Sequence, residues 1–393
     1  AVDNILAVND AGITMDRINR RRDLLKALGS TALVASIGAC ASGSPSVPGY
    51  QRPYSRNPWV APRISRENII REIVGHRPFR AAGFVVKSEK LGKKVIVHNY
   101  GHGSSGLSLS WGSSALAIRE TQGMAHRDVA VIGGGVLGLT SARLLQDAGW
   151  NVTIYTRDMA RHTTSNIAAG EFGPGGAHDP AISSDAFKSQ LNFAARISHH
   201  AFTNLGGADY GVRWMEMHWP TNSLEDTLRP FDGSFEQLYP YTSLLGPGEH
   251  PFPTQYMRST LTMMIEPAIF LRQVTEDFRQ AGGRFVIRNF RDKEEILTLS
   301  EPVIFNCTGL GSRTLFGDQD LIPIKGQLVF MPPDPAVDYL TVGGGEGDLY
   351  MFSRSDVLLL GGFYKPNDAS THVEPEETDR IIREHQRLFA GFG

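Results

Sequence analysis

The sequence predicts an α/β fold, and three observations carry that expectation. Asp128-Val-Ala-Val-Ile132 is a short apolar run of the kind a buried parallel strand requires. It passes directly into Gly133-Gly-Gly135-Val136-Leu-Gly138, after which Leu139, Ala142, Leu144 and Leu145 recur at helical spacing towards Ala148. Asn151-Val-Thr-Ile-Tyr155 then reads as a second strand.

The strand–turn–helix–strand order gives each glycine a physical task. Gly133 makes the tight turn, Gly135 lets backbone approach a pyrophosphate, and Gly138 lets the helix pack close to the strand. The helix then starts at Val136, where free N–H groups and the positive dipole end favour phosphate. Asp158 follows Gly138 at the distance where a carboxylate accepts hydrogen bonds from a ribose. The pattern predicts a Rossmann-like dinucleotide site, and the motif alone does not separate NAD from FAD.

A second glycine cluster lies upstream, in His98-Asn-Tyr-Gly101-His102-Gly103-Ser104-Ser105-Gly106-Leu107-Ser108-Leu-Ser-Trp111-Gly112. Val95 to His98 suits a strand and Leu107 to Ala117 a helix, so the glycines between form a turn where backbone meets a flat or charged ligand. His98 and His102 are spaced i, i+4, but that pair converges on a metal only from a helix, so no metal is expected. Ser104 and Ser105 lack the G-x-S-x-G elbow of a hydrolase. Downstream, Phe285 to Ile287 and Val303 to Phe305 read as further strands, and Cys307 as a buried core residue.

Composition bounds the function. Among 393 residues, 39 are basic and 41 acidic, a balance without the positive field that nucleic-acid binding needs. Two cysteines exclude a disulfide scaffold. Arg21-Arg22-Asp-Leu24-Leu25-Lys26, a short uncharged stretch from Ala27 to Ala39 and then Cys40 have the parts of an export signal beginning at Met15. The paired arginines resemble the twin-arginine motif, which implies a periplasmic destination. Ile37-Gly-Ala-Cys40 looks like a lipoprotein box, so Cys40 is a candidate lipid anchor and the periplasmic protein a candidate lipoprotein. Ser, Pro and Gly dominate the stretch after it, and residues 41–57 are read as a flexible linker.

The glycine-rich segments resemble those of the D-amino-acid oxidase family. The resemblance rests on the 98–112 run, on 131–138 with Asp158, and on Thr163-Thr164-Ser165-Asn-Ile-Ala-Ala169-Gly170. Asn306-Cys-Thr-Gly309, Lys325-Gly-Gln327, Gly75-His-Arg77-Pro-Phe-Arg80 and the stretch from Leu349 to Gly362 also fit. It implies an FAD-binding Rossmann-like domain (94–185 and 262–320) interleaved with an antiparallel-sheet substrate domain (58–93, 186–261 and 321–393). The segment order differs from the family's. There the nucleotide turn comes first and the R-P-x-R and H-N-Y-G-H-G segments close the chain, whereas here those segments precede the turn. The order resembles a circular permutation, which is admissible where domain termini lie close together.

The same resemblance implies FAD as cofactor, a D-amino acid and O₂ as reactants, and a 2-oxo acid, ammonia and H₂O₂ as products, with no side-chain base. It places Arg77 on the substrate carboxylate, Tyr350 as a second hydrogen-bond donor and Ser104 near the amine. Gly133, Gly135, Val136, Gly138, Asp158, Thr163, Thr164, Ser165, Ala169 and Gly170 would hold the nucleotide. Gly101, His102, Gly103, Ser105, Gly106, Leu107 and Ser108 would pack on the flavin. Where the family often has another site tyrosine, this chain has Glu346, in a glycine-rich run from Gly343 expected to form a mobile lid. A carboxylate there would favour neutral or basic side chains over acidic ones. The alternatives are a flavin amino-acid dehydrogenase with a membrane electron acceptor, and a non-catalytic flavin-binding lipoprotein.

Overall fold

The computed structural model describes residues 46–47, 49–228 and 235–392. The twin-arginine segment and Cys40 lie outside the described residues. After a short strand pair, Ser46–Val47 with Trp59–Val60, the main elements begin in chain order with β1 (Arg71–Arg80), β2 (Val85–Leu91), β3 (Lys94–Tyr100) and α1 (Ser110–Arg119). They are followed by β4 (Asp128–Ile132), α2 (Val136–Asp147), β5 (Asn151–Thr156) and α3 (Asp185–Asn204). The middle of the chain forms β6 (Val212–Thr221), β7 (Tyr256–Ile265), α4 (Pro267–Gln280), β8 (Arg284–Ile287) and β9 (Val303–Asn306). The last part contributes β10 (Leu321–Met331), β11 (Tyr339–Val342), β12 (Tyr350–Ser353), β13 (Leu358–Gly361) and α5 (Pro375–Leu388).

Two sheets organise these elements. The first has the order β8-β5-β4-β9-β3-β2, parallel except for β2, which folds back on β3 as an antiparallel edge. Its central strands are apolar because both faces are covered. Val131 and Phe305 join Leu139, Leu145 and Trp111 on one face, while Ile96, Ala130 and Ile304 meet Ile296 and Phe290 on the other. Asn306 pairs with both His98 and Ile132, so β4 and β9 end level and β3 runs two residues further. Loops at these carboxyl ends are where open α/β sheets bind ligands.

The second sheet has nine strands and is mostly antiparallel: β10-β13-β12-β11-β6-β7 form the middle of its path, the short strands Lys365–Pro366 and Ser243–Leu245 flank β10 and β7, and β1 is added along β10. β1 pairs with β10 over its whole length, which sets Arg77 opposite Ile324. The Trp59, Tyr339, Phe252 and Phe392 side chains fill the far side of this sheet.

The expected domain limits shift in three places. Val85–Leu91 was assigned to the substrate domain but belongs to the parallel sheet, because Gly92 (φ +60°) turns it back onto β3 as a hairpin. The limit drawn at 262 cuts through β7, all of which lies in the antiparallel sheet. Helix α3, placed with the substrate domain, packs on α1, where Gly112 sits against the Ala194 backbone.

The linker expectation fails at Ser46–Val47, which pairs antiparallel with Trp59–Val60, and again from residue 52 onward. Arg52 is buried, its Nε donating to Glu216 at 2.6 Å and its Nη1 pairing with Asp338. Tyr54 N donates to the same Glu216 carboxylate at 2.7 Å. A buried charge needs such partners, and they lie 162 and more residues away in sequence, which local composition does not reveal.

Candidate active site

A cavity of about 840 Å³ runs between the two sheets, towards the upper end of the range for small-molecule sites. It begins at the carboxyl ends of the parallel strands. Gly133 ends β4 with φ +113°, and a Cβ there would collide with the Cys307 carbonyl. A Cβ on Gly138 would collide with the Gly133 carbonyl. The turn is thus packed to backbone contact. Gly135, Val136 and Leu137 form cavity wall, bringing the first N–H groups of α2 to it. Ser165 Oγ accepts from Val136 N at 3.0 Å, which ties the 163–170 segment to that helix end. Thr163, Thr164, Ala169 and Gly170 line the same wall. Asp158 lies past the end of β5 on the cavity rim, its carboxylate paired with the exposed Arg157 at 2.7 Å.

The upstream glycine turn forms the next stretch of wall. Gly101, His102, Gly103, Ser104, Gly106 and Leu107 all line the cavity. His102 is fully buried and stacks flat on Phe84 at 4.5 Å. Desolvation pulls its pKa down to about 3, so the ring is neutral, and neither ring nitrogen has a partner among the described residues. Two residues expected here are turned elsewhere. Ser105 and Ser108 do not reach the cavity; Ser105 Oγ donates to Gly173 O at 2.7 Å, and Ser108 Oγ accepts from Gly173 N at 2.9 Å. Both brace the loop after Gly170. Gly138 also stands behind the wall, acting through close packing.

The far end of the cavity belongs to the antiparallel sheet. Arg77 projects from β1, with Nη2 3.4 Å from the Tyr350 hydroxyl at the start of β12. The Tyr364 ring lies 5.6 Å from its guanidinium carbon. Arg77 Nη1 is buried and has no hydrogen-bond partner among the described residues. A guanidinium N–H held dry without an acceptor calls for an anionic ligand group.

Glu346 is not part of this site. It is exposed on the 343–348 loop and does not line the cavity; its backbone carbonyl accepts from Arg380 at 2.8 Å. Glu171 lines the cavity as well as Asp158, and sequence reasoning missed Glu171. Desolvation raises its pKa to about 7, offset in part by the Thr262 hydroxyl. Cys307 lies beneath the nucleotide turn, and burial pushes its thiol up to about 12, too high for a nucleophile at neutral pH. No group of metal-ligating side chains occurs among the described residues, and no described helix is long and apolar enough to cross a membrane.

The model of the DAO family of FAD dependent oxidoreductases matches residues 128–393. The chain belongs to that family. It is 28% identical over 272 residues to the D-amino acid oxidase of Dugesia ryukyuensis, covering 67% of this chain and 78% of that protein. It is 26% identical over 261 residues to human D-aspartate oxidase, covering 65% and 73%. The fold is shared with glycine oxidase from Geobacillus kaustophilus, at a TM-score of 0.52 and 17% identity over 66% of this chain and 77% of that one. L-α-glycerophosphate oxidase from Mycoplasma pneumoniae, solved with FAD bound, gives 0.52 at 13% identity over 69% and 80%.

The residues of this DAO-family chain fit FAD. The glycine turn at 133–138 is packed to backbone contact, which brings the start of α2 to the cavity, and the His102 nitrogens, unpartnered among the described residues, belong to a residue of the same cavity wall. Gly133 to Leu137 would hold the pyrophosphate and Asp158 the ribose, while Gly101 to Leu107 would flank the ring system. The protein is an FAD-dependent oxidoreductase.

Proposed function

We propose that this protein oxidises D-amino acids, taking neutral or basic side chains in preference to acidic ones, with O₂ as electron acceptor. The observation that carries the reading is the dry Nη1 of Arg77, unpartnered among the described residues, on a guanidinium whose Nη2 meets the Tyr350 hydroxyl. Two parallel N–H donors match a carboxylate and orient it as well as bind it. The Tyr350 hydroxyl adds a donor to the same group, and Tyr364 against the guanidinium restrains its plane. With the carboxylate so held, Cα–H has one orientation in the cavity, which is the main contribution positioning makes to rate. FAD, when bound, supplies the two-electron acceptor. The relatives named for D-amino acids and D-aspartate support this class of substrate.

Anaerobic mixing with a D-amino acid panel tests the proposal. Bleaching of the flavin absorbance by D- but not L-enantiomers is the expected result, with peroxide formed on admitting air. No bleaching by any amino acid would refute it. Reduction of a quinone or dye without peroxide would instead favour the dehydrogenase, a reading that a lipid-anchored Cys40 supports.

We also infer that the chain is circularly permuted relative to its family and is exported by its twin-arginine segment. Support for the first is that the family match begins at Asp128, the first residue of β4, although β3 and its glycine turn sit beside β9 in the same sheet. Processing at Cys40, read by mass spectrometry of the exported protein, tests the second.

A further inference from the structure

The geometry points to Glu171 as the residue that selects the substrate side chain, by accepting a cationic nitrogen on the cavity wall beside Thr262, away from Arg77. This inference rests on the D-amino-acid reading and narrows it to substrates with a long basic side chain, of the lysine or arginine kind.

The Glu171 backbone is held from both sides. It bridges to Met264, with Phe172 N donating to Met263 O at 2.9 Å and Ile265 N to Gly170 O at 2.7 Å. From the flavin-side turn, Ser108 Oγ donates to the Glu171 carbonyl at 3.2 Å. A backbone fixed in this way aims the side chain. Oε1 accepts from Thr262 Oγ1 at 3.2 Å, and no described donor reaches Oε2. No described lysine, arginine or histidine forms an ion pair with the carboxylate, although it lines the cavity. Among the described residues the cavity therefore offers a guanidinium Nη1 lacking an acceptor and a carboxylate lacking a cation.

Their separation decides which nitrogen of the substrate is involved. Thr262 is on β7 and Tyr350 on β12, with β11 and β6 between them. Three strand spacings amount to about 14 Å across the sheet, and Thr262 stands four residues along β7 from Arg258, the residue level with Tyr350, which adds about 14 Å along the strand. An α-ammonium is joined to its own carboxylate through one carbon, so with the carboxylate on Arg77 it stays at the Tyr350 end. Only a donor on an extended side chain reaches towards Thr262. A terminal carboxylate arriving at Glu171 would meet like charge in a desolvated place.

The test compares D-lysine, D-norleucine and D-glutamate on the FAD-loaded wild type, Glu171→Gln and Glu171→Leu. Glutamine keeps the shape and the Thr262 contact, so it remains informative if the leucine variant loses flavin. The kcat/KM ratio of D-lysine to D-norleucine is expected to fall at least tenfold in both variants, and D-glutamate to gain relative to D-norleucine. A ratio that moves less than twofold overturns the proposal, as does an equal loss on all three substrates, which marks a structural role. If the wild type oxidises no D-amino acid, the functional reading has failed. Calorimetric binding of D-lysine against D-norleucine to wild type and Glu171→Gln then decides: a tenfold drop in D-lysine preference supports the role of Glu171, and no difference overturns it.

Discussion

Arg77 and Tyr350 lie 273 residues apart in sequence, yet their side chains meet at 3.4 Å on one wall of the cavity. The strand pairing that brings Arg77 opposite Ile324 and Tyr350 opposite Gly361 makes this a property of the whole antiparallel sheet. Arg77→Lys keeps the charge but loses the fork. Losing a buried charged hydrogen bond costs about 2–5 kcal/mol, so kcat/KM for the best D-amino acid is expected to fall on the order of 10²–10³-fold. Peroxide-coupled kinetics, with flavin content measured in parallel, check this; unchanged kcat/KM would remove Arg77 from the site.

Gly361 sets the position of Tyr350. The tyrosine ring crosses directly over it, and a Cβ at 361 would collide with the ring. Gly361→Ala should therefore push the hydroxyl away from Arg77 without touching the nucleotide turn. The expected outcome is a kcat/KM loss comparable to that of Tyr350→Phe, with flavin content retained. Additivity in the double variant would argue against the coupling, since residues acting through one contact are non-additive.

These residues differ in how openly the sequence announced them. Gly133 and Gly138 were legible because a backbone-tight turn admits no other residue, and such a constraint is local. Arg77 and Tyr350 were found through the segments around them. Glu171 was not, because what places it in the cavity is a bridge to Met264, 93 residues on, and a hydroxyl at Thr262. Glu346 was misplaced for the same reason: the direction of the 343–348 loop depends on Arg380 of α5, which its own sequence does not encode. Arg52 looked like part of a tether until its partners Glu216 and Asp338 were known. Short-range geometry survives in a sequence pattern, and long-range pairing does not.

Gly138 supports the nucleotide turn without lining the cavity. Gly138→Ala places a methyl group against the Gly133 carbonyl, so α2 must shift away from β4. Overpacking of this kind costs about 1–3 kcal/mol. It should also withdraw the Val136 end of the helix from the phosphates. The expected result is a lower ratio of bound FAD to protein and a raised dissociation constant, measured by flavin fluorescence. Full FAD occupancy with wild-type affinity would contradict this role of Gly138.

The neutral His102 makes stability depend on pH. Its folded pKa, about 3, is depressed below the ordinary value of 6.5 by desolvation. Between those values the unfolded chain binds a proton that the folded protein refuses, so this contribution is complete above about 6.5 and is lost as pH falls. The loss amounts to about 1.4 kcal/mol per pH unit inside that window. Glu171 acts in the opposite sense: its pKa, raised from 4.5 to about 7, makes it bind a proton in the folded state, an effect that fades as pH rises through 7. Urea unfolding of the FAD-loaded protein between pH 5 and 6 therefore carries both slopes. His102→Gln removes one of them, and the variant should lose stability on acidification less steeply than wild type by about one proton, whatever its absolute stability. Identical slopes would mean that His102 is already charged, or already solvated, in the folded protein.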